Sequence, residues 1–356
     1  MSAEQTLLQE SIGKYLARAA PRERVKHFAD SGEPRAEDIW HGLSDLGVPG
    51  ILIAEEYGGI GCGLLDAALV AETLATFVAP VPFVSTAVMV PLAIALAGTD
   101  AQKSRWLPRL SEGSTIAGSA LSEVVSARLD AQVRAAGATL HGRALFVLDF
   151  EAEIYLVADE SRQLYLVAAD APGLSRRGLT TIDGTRRLGE LVFDDVPAEL
   201  LPGSRDAEVC ARVLDAGRIV LATDTLGAAE HMLAQAVAYA KQRVQFGRPI
   251  GSFQAVKHLC AEMAAELEPC RALVWYAAHS FDAVPHEARL SACHAKAHLA
   301  EVGTFVARTA IEVHGGIGFT DELGLHLWFK RIGANRQLLG GPERVRGEAA
   351  QLQQWA

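Results

Sequence analysis

The chain has 356 residues, of which 50% are hydrophobic and 21% are charged, and its formal net charge is −10. This length is enough for two or three folded units that together could enclose a large cofactor, and the composition is that of a globular protein. The basic residues are scattered along the chain. A nucleic-acid partner is therefore excluded, because binding to a phosphate backbone depends on concentrated Lys and Arg.

The five cysteines are an odd number without C-x-x-C spacing. They indicate neither a disulfide framework nor a zinc site, so we predict no metal and a reducing, cytoplasmic location. Residues 1–10 contain two acids and no basic residue, which argues against a targeting peptide. The uncharged stretch 77–98 is long enough to cross a bilayer, but three prolines interrupt it and favour a buried loop and helix over a membrane span.

Residues 1–115 are predicted to form an N-terminal helical domain. Apolar residues at helical spacing run from Ile39 to Leu46 and stop at Gly47. The loop 55–59 follows, and a second helix is predicted over 64–74.

Residues 116–204 are predicted to form a small β domain, because short β-branched and aromatic runs replace the helical pattern. The runs 154–157 and 164–167 are separated by a polar segment and predict an antiparallel hairpin. The central domain is therefore expected to be antiparallel.

Residues 205–356 return to an Ala-rich helical pattern. Long helices are predicted near 206–241, 252–281 and 286–313, with a shorter one after Asp321. Long helices joined by short loops favour an antiparallel bundle. The predicted fold class is α+β and mainly α, with three parts in the order helical domain, β domain and helical bundle.

Two segments resemble paired signatures of the acyl-CoA dehydrogenase family. They are Arg243–Gln254, which reads RVQFGRPIGSFQ, and Glu312–Phe319, which reads EVHGGIGF, and about sixty residues separate them, as in that family. The segment Leu46–Gly59 resembles the family's N-terminal domain, so the likeness covers nearly the whole chain. The resemblance implies the family fold, with an N-terminal helical domain, a small antiparallel β domain and a C-terminal four-helix bundle.

The chemistry of these segments suits a nucleotide. Arg243 offers a planar fork of donors for a pyrophosphate, Phe246 offers an apolar face, and adjacent glycines let backbone approach a ligand closely. The resemblance implies that six residues hold the ADP half of an FAD whose isoalloxazine ring lies in the neighbouring subunit: Arg243, Phe246, Gln254, Glu312, Gly315 and Gly316. The alternative is a helix break at Pro249 and a glycine-rich turn at 315–318 without a ligand.

The implied reaction is α,β-dehydrogenation of an acyl-CoA thioester, in which a carboxylate takes the α-proton and the β-hydrogen leaves as hydride to the flavin. Where the family commonly has Tyr-Glu-Gly-Thr, this chain reads Leu-Gly-Gly-Pro, with Gly340 in place of the glutamate. At the family's alternative position, Gly217 stands instead of a glutamate. No catalytic base is therefore predicted at either position.

Three other residues on the helix that carries Gly217 are candidates for a role at the site. Asp215 and Arg218 match positions that orient the CoA thioester in the family, although an ion pair on the helix surface is the alternative interpretation. Asp215 and Asp224 are the nearest candidates for a displaced base.

The β domain has lost polar residues that line the flavin in the family. The family's loop Thr-Glu-Pro-Gly-Ala-Gly-Ser-Asp corresponds here to SEVVSARLD at 122–130, and its Trp/Phe-Ile-Thr-Asn strand to FVLD at 146–149. Leu148 has no polar side-chain atom and cannot donate a hydrogen bond to flavin N5. The half of the site that touches the reacting ring has therefore changed, while the half that binds the ADP of a partner's flavin is retained.

This asymmetry favours the base-lacking subunit of a heteromeric acyl-CoA dehydrogenase, similar to the bacterial α2β2 enzymes that oxidise CoA thioesters of steroid side chains. The implied partners are a homologous acyl-CoA dehydrogenase subunit in a heterotetramer, an acyl-CoA substrate, and electron-transfer flavoprotein as electron acceptor. Two alternatives stay open. One is a homo-oligomeric dehydrogenase with a displaced base, and the other is a binding or scaffold relative that has lost FAD.

Overall fold

The computed structural model describes residues 1–125 and 132–355 of the chain. The chain divides into two compact units. The first comprises Met1–His27, Ala68–Ala79 and Leu221–Ala356, and the second comprises Phe28–Ala67 and Pro80–Val220. The domain boundaries near residues 115 and 204 stay a prediction.

The N-terminal third is helical, as predicted. Its helices are α1 (Ala3–Ala19), α2 (Arg22–Ser31), α3 (Glu37–Ser44), α4 (Leu64–Thr76), α5 (Val90–Ala97) and α6 (Asp100–Ser111). Capping boxes begin α1 and α6, where Ser2 pairs with Gln5 and Thr99 pairs with Gln102. The apolar pattern of α3 stops at Gly47, which adopts a left-handed conformation with φ of 75°.

The uncharged stretch 77–98 folds as predicted, into buried loop and helix. A π-helix at Val84–Met89 leads directly into α5, and all six of its residues are buried. Among the described residues, no helix is both long enough and apolar enough to cross a membrane.

In the part of the β region that the structure describes, the strands form two four-stranded sheets. Its elements are β1 (Ala117–Ala120), α7 (Ser122–Val125), β2 (Val133–Ala136), β3 (Thr139–Val147), β4 (Ile154–Ala158), β5 (Leu164–Ala168), β6 (Leu174–Leu179), β7 (Leu188–Pro197) and β8 (Glu199–Leu200). The strand orders are β1-β4-β5-β8 and β2-β3-β7-β6. The predicted hairpin is confirmed, because β4 and β5 pair antiparallel with Tyr155 opposite Val167.

One pair departs from the predicted antiparallel arrangement, since β1 and β4 are parallel. The strands β2 and β3 intervene in the chain and belong to the other sheet. A connection of that length lets the chain return in the same direction, which a tight hairpin turn does not allow.

The C-terminal part is helical, and its predicted segments are confirmed to within a few residues. It contains α8 (Ala207–Gln242), a two-stranded hairpin of β9 (Val244–Gln245) and β10 (Arg248–Pro249), α9 (Gln254–Ala283), α10 (Pro285–His314), α11 (His326–Gln337) and α12 (Pro342–Leu352). Proline occupies the first turn of α10 and α12, where its missing N–H has no intrahelical partner to lose. The helix α10 packs against α9, α11 and α12.

Candidate functional site

The segment that resembles the first family signature forms a tight hairpin at the end of α8. The Arg243 N–H donates to the Tyr239 carbonyl at 2.8 Å, and the Ile250 N–H donates to the Arg243 carbonyl at the same distance. Phe246 and Gly247 form the turn with φ of 50° and 75°. Two consecutive left-handed residues are typical of the type I′ turn that matches the twist of a hairpin. The helix interruption expected near Pro249 is thus an ordered hairpin.

The hairpin presents an apolar ring and a cation to its surroundings. Phe246 is 91% exposed, and its ring meets the Phe253 ring edge-on at a centroid distance of 6.0 Å. Arg243 is exposed, and its guanidinium makes no hydrogen bond or ion pair within residues 1–125 and 132–355. The Arg243 guanidinium can donate hydrogen bonds to a phosphate, and the exposed Phe246 ring can pack against a planar base. This combination suits a nucleotide.

The segment that resembles the second signature follows α10 directly. Gly315 has φ of 64° and ψ of −143°, a conformation that is essentially restricted to glycine. A Cβ added at Gly315 or Gly316 would meet no atom within 4 Å, so this backbone is open to a ligand. Gly318 differs, because a Cβ there would lie 2.6 Å from the Ile311 carbonyl oxygen.

A ring contact brings the two segments together. The Tyr239 ring lies 4.7 Å from the His314 ring, and the Nδ1 atom of His314 lies 2.7 Å from the Ala310 carbonyl oxygen. Tyr239 is one helical turn before Arg243, and His314 immediately precedes Gly315. The ends of α8 and α10 therefore place the arginine and the open glycines at the same end of the helical unit.

The remaining residues of the predicted ADP-binding set are accessible as well. Gln254 is the first residue of α9, and Glu312 lies in the last turn of α10; both are exposed. Phe319 closes the second segment and is 70% exposed. The residues at this end of the unit fit the ADP portion of FAD, since they offer an unpaired guanidinium, exposed rings and open backbone.

Neither usual base position carries an acid. Gly217 is buried within α8. Gly340 is buried between α11 and α12 with φ of 102°, next to Leu339 at φ of 57°. A backbone with that φ strongly favours glycine, so the sequence at this turn is adapted to a glycine and not to a glutamate.

The alternative interpretation of Asp215 and Arg218, an ion pair on the helix surface, is wrong in its location. Their side chains are 6% and 1% exposed, and the Arg218 Nη1 atom lies 3.9 Å from Asp215 Oδ1. Burial of a charged pair is costly unless each member is paired and hydrogen-bonded. The pair therefore belongs to the interior, and its role towards a substrate stays a prediction.

Asp224 is engaged on both oxygens. Arg331 Nη1 donates to Oδ2 at 3.1 Å, and Asn335 Nδ2 donates to Oδ1 at 2.6 Å. All three side chains are buried. A carboxylate whose lone pairs are already occupied by fixed donors is a poor proton acceptor, which disfavours Asp224 as a displaced base.

The strand expected to face the reacting ring provides no free donor at Leu148. Leu148 is 1% exposed, and its N–H and carbonyl both pair with Ser119, each at 3.0 Å. Its side chain is apolar. Leu148 therefore does not fit the role of a donor to flavin N5. The predicted flavin-lining loop 122–130 lies mostly outside the described residues.

A charged cluster that was not predicted joins α4, α8 and α9. The Arg271 guanidinium donates to Glu72 at 2.6 Å and also pairs with Glu230, while Trp275 Nε1 donates to Glu72 at 3.1 Å. Burial and the Glu72 carboxylate raise the pKa of Glu230 to about 7. The three charged residues are far apart in the sequence, so no local pattern indicates them.

Comparison with known proteins places these features in a family context. Two family models match, the acyl-CoA dehydrogenase N-terminal domain over residues 2–114 and the acyl-CoA dehydrogenase C-terminal domain over residues 207–351. The acyl-CoA dehydrogenase IpdE2 of Mycobacterium tuberculosis is 32% identical over 344 residues, which cover 96% of this chain and 95% of that protein.

Solved structures show the same fold. A variant of the Tcur3481–Tcur3483 steroid ACAD superposes with a TM-score of 0.89 at 31% identity, covering 99% of this chain and 98% of that chain. The ChsE4–ChsE5 complex from Mycobacterium tuberculosis superposes with a TM-score of 0.90, covering 100% and 98%. At 24% identity, the second likeness is one of fold alone.

Proposed function

Because the chain belongs to the acyl-CoA dehydrogenase family, whose members bind FAD, we propose that it is one subunit of a heteromeric acyl-CoA dehydrogenase. In this proposal it contributes the ADP-binding half of an FAD site at a subunit interface and does not contribute the catalytic base. The reaction is α,β-dehydrogenation of an acyl-CoA thioester. Similarity to a steroid ACAD supports a steroid side-chain thioester as the substrate class.

The observation that carries the proposal is the exposed end of the helical unit. Arg243 and the open backbone of Gly315 and Gly316 lie together there, linked through the contact between Tyr239 and His314. Within the described residues the Arg243 guanidinium has no partner. This exposed surface combines a cation, an aromatic ring and backbone without side chains. Such a surface suits one end of a nucleotide whose other end is bound by a neighbouring subunit.

Four residues of this surface have a stated binding role in the proposal. The Arg243 guanidinium holds the FAD pyrophosphate, the Phe246 ring packs against a planar part of the nucleotide, and the backbone at 315–316 allows close approach. FAD, when bound, supplies the acceptor for the hydride that leaves the substrate's β-carbon. The partner subunit supplies the base and the polar groups around the flavin ring, and electron-transfer flavoprotein takes up the electrons.

The missing base is the reason for assigning a partner. Glycine stands at 217 and 340, and the two nearby acids do not replace a glutamate there. Asp215 is two residues from Gly217, and residues at that helical spacing do not face the same side. Asp224 is occupied by Arg331 and Asn335. These contacts support a subunit without its own base over a homo-oligomer with a displaced one.

The test is the flavin content of the chain with and without its partner. The chain is purified alone and after co-expression with a homologous acyl-CoA dehydrogenase subunit from the native host, and bound FAD is measured by absorbance after release. We expect a colourless chain alone and a yellow complex with one FAD for each pair of unlike subunits. A yellow, active chain without a partner would support the homo-oligomer, and a complex that stays colourless would support the flavin-free relative.

A further inference from the structure

A cavity of about 380 Å³ lies in the helical unit, between α1, α2, the end of α4, the middle of α8 and the start of α11. Its walls are mainly apolar and include Val25, Phe77, Leu325 and Leu327. His231 on α8 also lines it, about 18 Å along the helix from Arg243 at a rise of 1.5 Å per residue. The cavity is therefore distinct from the proposed nucleotide surface.

The His231 ring is stacked on a neighbouring ring at the cavity wall. Its ring stacks on the Trp328 ring at a centroid distance of 4.1 Å and an interplanar angle of 9°. Trp328 is fixed in turn, because its Nε1 donates to the carbonyls of Ala75 and Thr76, each at 3.1 Å. These two carbonyls belong to the last turn of α4. The imidazole thus has a defined orientation.

The imidazole is neutral, and its two ring nitrogens are available for hydrogen bonding. Burial lowers the pKa of His231 to about 4, so the ring is uncharged at pH 7 and carries one N–H donor and one acceptor nitrogen. It makes no hydrogen bond with any residue in 1–125 or 132–355. The side chain is half-buried, so water or a ligand in the cavity can reach the ring nitrogens and supply their hydrogen bonds.

The charged groups at the rim, Arg22 and Glu23, are already engaged with each other or with backbone. Arg22 Nη1 donates to the Leu323 carbonyl at 3.0 Å, and its Nη2 donates to Glu23 at 3.0 Å. Gln235, one turn after His231 on α8, adds a second neutral polar side chain to the lining. An anion in the cavity would displace one of the Arg22 contacts or be buried without a counter-charge, and burial of an unpaired charge is costly.

We propose that this cavity is a binding site for a small, uncharged and mainly apolar molecule that carries one hydroxyl or carbonyl group for His231. The cavity volume lies within the range of small-molecule pockets, about 300–1,000 Å³. The apolar walls supply most of the contact area, and the fixed imidazole selects the polar group. This site goes beyond the proposed function and requires neither FAD nor a partner subunit.

The test uses a rigid matched pair of probes, 1-naphthol and 1-naphthoate, titrated calorimetrically into the full chain at pH 7.5. Both probes present the same apolar ring system, and only the second is an anion. We expect 1-naphthol to bind with 1:1 stoichiometry and 1-naphthoate to bind at least about 10-fold more weakly. Equal affinities, or no detectable binding of 1-naphthol, would overturn the proposal.

Two variants locate the probe in the cavity. His231→Phe keeps a ring to stack on Trp328 but removes the hydrogen bond, and should weaken 1-naphthol binding by about 3- to 10-fold. Ala17→Trp places an indole at the exposed edge of the cavity and should abolish binding. His294→Phe, at an exposed position of α10, is the control and should bind as the parent does.

The melting temperature of each variant is measured first, so that loss of fold is separated from loss of binding. The FAD content of the assembled complex should be the same for His231→Phe and the parent, which keeps this test distinct from that of the proposed function. Unchanged 1-naphthol affinity in folded His231→Phe or Ala17→Trp would contradict the site.

Discussion

The guanidinium of Arg243 lies just beyond the last turn of α8 and is exposed, with no hydrogen bond or ion pair to the described part of the chain. Its backbone, by contrast, closes the hairpin through Tyr239 and Ile250. Side chain and backbone therefore have separate roles. The hairpin should keep its shape in any substitution at 243 that leaves the backbone N–H and carbonyl free to make these two hydrogen bonds.

Replacing Arg243 with Ala should lower the affinity of the assembled complex for FAD by about one to two orders of magnitude. The substitution removes the proposed charge-assisted contact to the pyrophosphate, and such hydrogen bonds contribute about 1.5 to 3 kcal/mol each. FAD affinity is measured by titrating the flavin-stripped complex. Arg18→Ala, at an exposed position of α1, is the control. Unchanged flavin content in Arg243→Ala would remove the basis of the interface-cofactor proposal.

Restoring a carboxylate at either base position should not create an efficient enzyme in the chain alone. A base contributes about 10²- to 10⁴-fold only when substrate and flavin are already positioned, and the sequence predicts that ring-facing polar residues are missing here as well. At Gly340 the φ of 102° adds backbone strain to any glutamate. Gly340→Glu and Gly217→Glu are assayed for acyl-CoA oxidation beside the matching Ala variants. Substantial turnover by either glutamate variant without a partner would contradict the subunit proposal.

At the scale of elements, one guanidinium joins three helices. Arg271 on α9 pairs with Glu72 on α4 and Glu230 on α8, and Trp275 adds a hydrogen bond to Glu72. A single cation cannot fully compensate two partly buried carboxylates. Glu268 on α9 adds further negative charge near Glu230, whose pKa rises to about 7 through burial first and through Glu72 second.

The raised pKa of Glu230 makes stability depend on pH. The folded chain holds this proton up to about pH 7, whereas the unfolded chain releases it near the ordinary value of 4.5. Between these values the folded state binds more protons, so stability should fall as pH rises from about 4.5 to about 7. Glu230→Gln should remove that decrease. Its unfolding free energy relative to that of the parent should therefore be higher at pH 8 than at pH 4.

Urea unfolding of the chain at pH 4, 6 and 8 measures this effect. Glu262→Gln, at an exposed position of α9, is the control and should follow the parent's pH profile. The difference in unfolding free energy between Glu230→Gln and the parent should change with pH. If that difference were the same at all three pH values, the pKa of Glu230 would not be raised by folding.

At the scale of the whole molecule, the proposed FAD site between subunits would couple cofactor binding to assembly. A ligand that binds only the assembled protein stabilises it by RT ln(1 + [L]/Kd), or about 2.7 kcal/mol at a free ligand concentration of 100 Kd. The melting temperature of the complex should therefore rise with added FAD, while that of the chain alone should not change. The complex with Arg243→Ala should lose much of this dependence. A chain that is stabilised by FAD when alone would bind the cofactor without a partner.

The sequence by itself determined the helical character of both ends of the chain, the β region between them and the main elements of each part. Local patterns indicated them: helical apolar spacing in α3, an Ala-rich helical composition in α8, and two short apolar runs in β4 and β5. The two family signatures and the glycines at 217 and 340 were also visible in the sequence, because each is a contiguous motif. For the hairpin at 244–249 the sequence predicted only an interruption between two helices. Its turn requires a φ of 50° at Phe246, a value that phenylalanine seldom adopts, so the residue type does not indicate the turn.

Only the tertiary structure decided which of these residues meet and what surrounds them. Tyr239 and His314 are 75 residues apart, and only the packing of the bundle joins their rings and so the two signatures. The burial of Asp215 with Arg218, the occupied oxygens of Asp224 and the neutral imidazole of His231 depend in the same way on neighbours from other elements. Desolvation and charge pairing are properties of the folded surroundings and not of a residue's own position in the chain, and local sequence therefore does not reveal them.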